Sequence, residues 1–348
     1  MTRRELVLKR LYNQNLSTSQ FQRPVDVVHW LGAVQAQDFS AAKWALGLRM
    51  RKTTNAAIED AFNKGEILRT HVMRPTWHFV APDDIRWLLH LTAARVNLRS
   101  GPNYRKLELD ATVFKHSNKI ITKALQGGKY LIRSDLKAAL NRAGIDANDP
   151  VRLAHILLRA ELDAIVCSGP RAGKQFTYAL LEERVPAARA FERDEALAEL
   201  TRRYFMSHGP ATVQDFVWWS GLTVEDARRG IAHVERELQK DTMDDKIYRG
   251  PNPARTRSGH TAHLLPAYDE YFVAYKDRQA VVEVKDGKPL LTSWDVLGPT
   301  FIIDGIGAGT WKRTDSGTIE FNTSRELKKS EKLALSDASD RYAAFLNG

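Results

Sequence analysis

The sequence predicts a mainly α chain with β elements, an α+β class. Three tandem units of one grammar are followed by a small C-terminal β-barrel-like domain. Three observations predict this. Helix punctuation recurs in three separate segments before Met243: a capping residue or first-turn proline opens a helix and a glycine closes it. The first two segments each end in two short apolar runs separated by a turn. Beyond Met243 the helical spacing gives way to short β-branched and aromatic runs.

In the first unit (residues 1–81), residues 4–12 read as helix and Pro24 suits the first turn of a helix over 25–31. A further helix over 55–64 is closed by Gly65. Residues 67–73 and 76–80 read as two strands with Arg74-Pro75 between them. The second unit (82–182) opens with a helical spacer over 82–99. Helices are expected over 111–125, over 135–142 with Ser134 as N-cap and Gly144 as stop, and from Pro150 to residue 161. Residues 164–167 and 175–178 form its hairpin, with the basic, glycine-containing tip from Gly169 to Lys174 between them.

The third unit (193–256) carries a Thr212/Asp215 capping box before a helix over 216–219. Gly221 makes the turn, and Thr223 caps a helix over 224–237. Capped short helix, glycine turn and second helix is the helix-turn-helix layout; a following two-stranded wing makes each unit a winged helix. The remainder (257–348) reads as strands over 263–266, 271–275, 280–284, 300–304 and 318–321. Asp286-Gly287, Gly298-Pro299 and Ser316-Gly317 supply the turns, and a helix over 325–346 closes the domain.

At 348 residues the chain is long enough for several domains. Its 52 Lys and Arg against 42 Asp and Glu leave a formal charge of +10, which points to a polyanionic partner. The lone Cys167 excludes an intrachain disulfide and a Cys-rich zinc site and fits a reducing cytoplasm. The first residues lack the apolar core of a signal peptide, and no apolar run approaches the roughly 20 residues needed to span a bilayer. A cytoplasmic, nucleoid-associated location is therefore expected, with no membrane contact. The chain has no Walker-type loop, no GxSxG and no zinc motif, so neither a cofactor nor a metal is expected, and no obligate protein partner is evident.

The most unusual segment is LGAVQAQD (31–38). Gln35 and Gln37 do not share a face in an α-helix, but in an extended segment they point the same way. Gly32 and the polar run from Asp38 let the chain leave the helix here. Read from the residues alone, the two amides either carry function or satisfy backbone groups at a helix end.

Five stretches together resemble the bacterial winged-helix DNA glycosylases of the AlkZ and YcaQ type, which unhook interstrand crosslinks. They are LGAVQAQD (31–38), RTHVMRPTWHFV (69–80), HGPATVQDFVWWSGL (208–222), LLPAYDEY (264–271) and IDGIGAGTWKR (303–313). The resemblance implies three winged-helix units plus a C-terminal β-domain. It also implies a catalytic motif of Gln, an aliphatic residue, then Gln or Asp, matched here by Gln35-Ala36-Gln37, with Ala36 small for the middle position. The implied partner is double-stranded DNA with alkylated or crosslinked purines.

Glutamine suits that chemistry. A purine alkylated at N7 is already cationic, so its glycosidic bond needs no general acid. Cleavage builds positive charge on the sugar, and amide oxygens can both hold a water below C1′ and face that charge. A non-enzymatic winged-helix regulator would explain the charge and the three units, but neither the glutamine pair nor the appended β-domain.

Other residues are candidate DNA contacts. Strand alternation puts Arg74, Thr76 and His78 on one face, bordering the site or forming the polar face of a wing. Arg171 and Lys174 occupy the second unit's basic tip, and Lys312 and Arg313 a basic strand end. Asp269 and Glu270 either bring carboxylates to a cleft or cap a strand. Trp218-Trp219 reads as core.

Overall fold

A computed structural model describes residues 1–185, 190–251, 261–285, 288–292 and 294–348. The Asp286-Gly287 turn expected from the sequence lies outside them. The helical punctuation places most helices. Pro24, Pro82 and Pro150 each occupy the first turn of their helices, Pro24–Leu31, Pro82–Lys106 and Pro150–Leu162, where a missing N–H is no loss. Thr223 and Asp226 form a capping box at Val224–Val234.

Several helix starts differ from the sequence reading: Val213–Ser220 begins before the expected 216, and Lys329–Asn347 begins after the expected 325. Ser134 is not a cap: the helix Arg133–Arg142 already includes it, and the Asp135 carboxylate accepts the Ile132 N–H. A helix over Phe39–Gly47 was not anticipated. Nearly every residue in it is buried, so it carries no amphipathic stripe to read.

The chain divides into two compact units, neither continuous in sequence. The first comprises Met1–Glu59, Leu197–Trp219 and Thr223–Gly348. It contains the helices Arg3–Asn13, Pro24–Leu31 and Phe39–Gly47, and an antiparallel hairpin of Gln239–Met243 with Lys246–Gly250. Asp244 and Asp245 both take positive φ (48° and 56°), as a two-residue hairpin turn requires. An antiparallel sheet follows in the order Ile319–Thr323, Ile306–Arg313, Thr300–Ile303, Ala262–Leu265. The terminal helix Lys329–Asn347 packs on the sheet and on the helix Phe39–Gly47 through aromatic rings: Tyr342 lies 5.0 Å from Trp311 of the sheet, and Tyr342 and Phe345 lie 5.0 and 4.9 Å from Trp44 of the helix.

Three readings of the C-terminal region are corrected. Residues 271–275 do not form a strand; they lie in and just after the short helix Glu270–Val273. A five-residue apolar run has no period of its own, and here the Asp269 carboxylate decides by accepting the Tyr271 N–H at 2.9 Å. Residues 280 and 281 lie in a 3-10 turn, Gln279–Val281, and only Val284 falls in a strand, the two-residue Val284–Lys285. The strand Ile306–Arg313 was hidden by its glycines, which punctuate like a turn. Gly309 is there for close approach: a Cβ would lie 2.2 Å from the Asn322 carbonyl and 2.5 Å from the Phe301 ring.

The second unit, Asp60–Ala196 with Ser220–Leu222, packs the helices Pro82–Lys106, Ala111–Leu125, Arg133–Arg142 and Pro150–Leu162. Phe114, Ile121, Leu136, Leu140, Ile156 and Leu157 are central to its core. It holds two antiparallel hairpins, Leu68–His71 with Trp77–Val80 and Val166–Ser168 with Thr177–Leu180, the latter extended by Leu131–Ile132. Among the described residues no helix is long and apolar enough to cross a membrane.

Candidate active site

The glutamine pair lies between two helices of the first unit. Gly32 ends Pro24–Leu31 with φ +80°, and its N–H bonds the His29 carbonyl. A Cβ at this position would lie 3.3 Å from the Trp219 ring, so the backbone rests close against that indole. Asp38 starts the next helix by accepting the Ala41 N–H at 2.9 Å. Between them burial alternates. Val34 and Ala36 are buried, Gln35 is half-buried and Gln37 is exposed. Both glutamines therefore face away from the core that takes Val34 and Ala36. The Gln35 Oε1 is buried and accepts no hydrogen bond among the described residues. An unmet buried acceptor costs about 1–3 kcal/mol, so this oxygen has acceptor capacity for a water or a ligand.

Glu270 holds this segment. Its carboxylate is fully buried. Oε1 accepts the Gln35 backbone N–H at 2.9 Å, and Oε2 accepts the Trp219 indole N–H at 3.0 Å. His208 Nε2 lies 3.5 Å from the same Oε2. Burial pushes the His208 imidazole below its usual range, against the opposing pull of Glu270. Ser207 Oγ donates to the Arg203 carbonyl at 2.5 Å and lies 2.8 Å from His208 Nδ1.

The neighbouring Asp269 is committed elsewhere. Arg49 donates to both of its oxygens, at 2.8 and 2.9 Å, and the pair is fully buried. Arg49 also donates to the Ala45 carbonyl and to Gln14 Oε1. The Gln14 amide in turn reaches the Tyr275 hydroxyl at 2.9 Å. Two adjacent carboxylates thus do different work: Asp269 ties helices together and Glu270 fixes the glutamine segment.

The remaining sequence candidates are dispersed. Arg74, Thr76 and His78 do not share a strand face, because the strand starts only at Trp77. They form a local cluster instead: His78 is fully buried, its Nδ1 lies 2.9 Å from the Thr76 carbonyl, and its Nε2 lies 3.5 Å from an Arg74 nitrogen. In the second hairpin Lys174 is exposed, whereas Arg171 stacks on Phe176 at 4.3 Å and donates to the Lys174 carbonyl. Lys312 pairs across the sheet with Glu320 at 2.8 Å, and Arg313 is exposed. Lys312 and Arg313 share a cavity of about 330 Å³ with Asp38, the residue after Gln37. A larger cavity of about 840 Å³, lined by Arg10, Asp215, Arg249 and Arg278 among others, contains neither glutamine. Trp219 is core, but Trp218 is 44% exposed. Among the described residues no three His, Cys, Asp or Glu side chains are grouped as metal ligands.

The sequence signalled Glu270 only as one acid of a pair near a turn. Its partners Gln35, His208 and Trp219 come from two distant segments that no local pattern links to it.

A family model described as DNA glycosylase AlkZ-like matches residues 28–345. The chain is similar to an interstrand DNA cross-link repair glycosylase of Streptomyces sahachiroi. Identity is 23% over 340 residues, covering 91% of this chain and 89% of the relative. The solved structure of Streptomyces sahachiroi DNA glycosylase AlkZ has the same fold, with a TM-score of 0.80 and 20% identity over 99% of this chain and 96% of that one.

Proposed function

The chain belongs to the AlkZ-like DNA glycosylase family, and from that premise we propose that it is a monofunctional glycosylase for cationic N7-alkylated purines in duplex DNA, interstrand crosslinks included. The observation that carries this reading is the buried, unpaired Gln35 Oε1 beside the exposed Gln37, in a segment released from both flanking helices.

The amide oxygens accept hydrogen bonds from a water and hold it below C1′. As the C1′–N9 bond breaks, its electron pair neutralises the purine and positive charge grows on the sugar, facing the amide dipoles. The water oxygen bonds C1′ and its proton leaves to solvent. An undamaged purine lacks the starting charge and stays attached. Glutamine contributes position and field, not basicity.

Winged-helix units over 1–81, 82–182 and 193–256, with the β-domain over 257–348, would grip the duplex mainly through phosphates. Exposed Lys174, Lys312 and Arg313 suit that role directly. Arg74, Thr76, His78 and Arg171 would act by shaping the surfaces around them. A crosslinked base is tied to both strands, so a surface that receives the duplex suits it better than full base flipping. The expected place of work is the cytoplasmic nucleoid.

The test is incubation with a duplex carrying N7-methylguanine, in the presence of a metal chelator. Release of free base leaving an abasic site, with no borohydride-trapped adduct, is expected. Salt-sensitive DNA binding without base release would overturn the reading in favour of a non-catalytic binder. A trapped Schiff base would replace water by a lysine nucleophile.

A further inference from the structure

We propose that Glu270 is the positioning residue of Gln35, so that one buried carboxylate sets the aim of the amide that meets the water. This rests on the reading of Gln35 given above. Gln35 sits in a strand of only two residues, Val34–Gln35, between a positive-φ glycine and the bend that follows. Glu270 supplies an anchor from 235 residues away.

The anchor is rigid. Glu270 opens the helix Glu270–Val273, whose N-cap, Asp269, is clamped at both oxygens by Arg49. The same carboxylate that binds the Gln35 N–H also binds the indole N–H of Trp219, the ring against which Gly32 lies. Both the glutamine backbone and the surface that steers the chain into it are therefore referred to one group. Each donor meets its own oxygen, at 2.9 and 3.0 Å, which suits a contact that must hold geometry during reaction.

The inference can be separated from a purely structural role. In E270Q the side chain keeps one acceptor oxygen and gains an NH₂. Two N–H donors then compete for one acceptor, and Gln35 or Trp219 loses its partner. Misplacing a reacting group by about 1 Å costs on the order of a hundredfold. Single-turnover base release is expected to fall by at least about tenfold in E270Q, with DNA affinity unchanged. W219F added to E270Q removes the competing donor and should restore most of the rate.

A cycle with Q35A decides the assignment. If Glu270 acts through Gln35, E270Q costs nothing further in the Q35A background; an equal loss in both backgrounds overturns the proposal. Should E270Q not fold, E270D serves: it keeps the carboxyl group but draws it back by one methylene, and its loss of rate should likewise vanish beside Q35A. A parental rate in E270Q, or in E270D where only that variant folds, overturns the inference alone when Q35A is impaired. A parental rate in Q35A overturns the amide mechanism beneath it.

Discussion

Each unit buries a glutamate that receives one backbone N–H and one tryptophan indole beside a histidine, and the two sites differ in what is left over. In the first unit Glu270 holds Gln35 and Trp219, with His208 3.5 Å away. In the second unit Glu161 accepts the His71 backbone N–H at 2.9 Å and the Trp77 indole at 3.5 Å, and the His71 ring itself closes on the carboxylate. Around Glu161 the residue held in place is also the one that binds the acid, so the donors are used internally. Around Glu270 the residue held in place keeps its own side-chain oxygen unmet. The His71 ring is spent on Glu161 itself, whereas the Gln35 amide oxygen keeps acceptor capacity that a water or a ligand could use.

The largest effect should come from the ion pair that separates Asp269 from its neighbour. Arg49→Ala leaves a buried carboxylate unpaired, which typically costs about 3–5 kcal/mol, and a thermal melt should show the loss as a greatly lowered Tm. A Tm within a degree or two of the parent would mean that Asp269 is not held as described. Next, Glu161→Gln should cost about 1–3 kcal/mol of stability while single-turnover base release, measured well below the melt, stays parental. Equal catalytic losses in Glu161→Gln and Glu270→Gln would erase the contrast between the two sites.

A smaller effect concerns acid. Full burial lowers the His263 imidazole from its ordinary value to about 3. Its folded pKa thus lies below the unfolded one, so the unfolded chain binds the extra proton between these values. The contribution is intact above about pH 6.5 and is lost as pH falls toward 3. His263→Gln should flatten this limb of a stability-against-pH curve; an unchanged slope would assign acid sensitivity to other groups. Last, burial pushes the Cys167 thiol up to about 12, so iodoacetamide at pH 8 should leave the native protein unlabelled and react only after denaturation.

What was legible in the sequence was whatever a few adjacent residues decide. Gly32 and Asp38 announce that the chain leaves one helix and enters the next, and that alone exposes the alternation carrying Gln35 and Gln37. The first-turn prolines set helix starts in the same local way. Residues 271–275 were misread because apolar content there outweighed a single capping carboxylate. Phe39–Gly47 was missed because a helix buried on nearly every side has no stripe. The expected common face of Arg74, Thr76 and His78 failed at Pro75, where the chain bends before the strand begins. Glu270 could not be placed at all, since its meaning lies in contacts 51 to 235 residues away.

The central claim is that the two amides stabilise the transition state and not the bound DNA. Single-turnover release of N7-methylguanine and duplex affinity should therefore be measured together for Gln35→Ala and Gln37→Ala. Loss of one preorganised contact predicts a rate lower by about a hundredfold, or roughly 3 kcal/mol, with a nearly unchanged binding curve, because most affinity comes from phosphates. Gln37→Asp, which restores an acceptor for water, should retain more activity than Gln37→Ala. Parental rates in both folded alanine variants would contradict the account and leave the glutamines as structural residues.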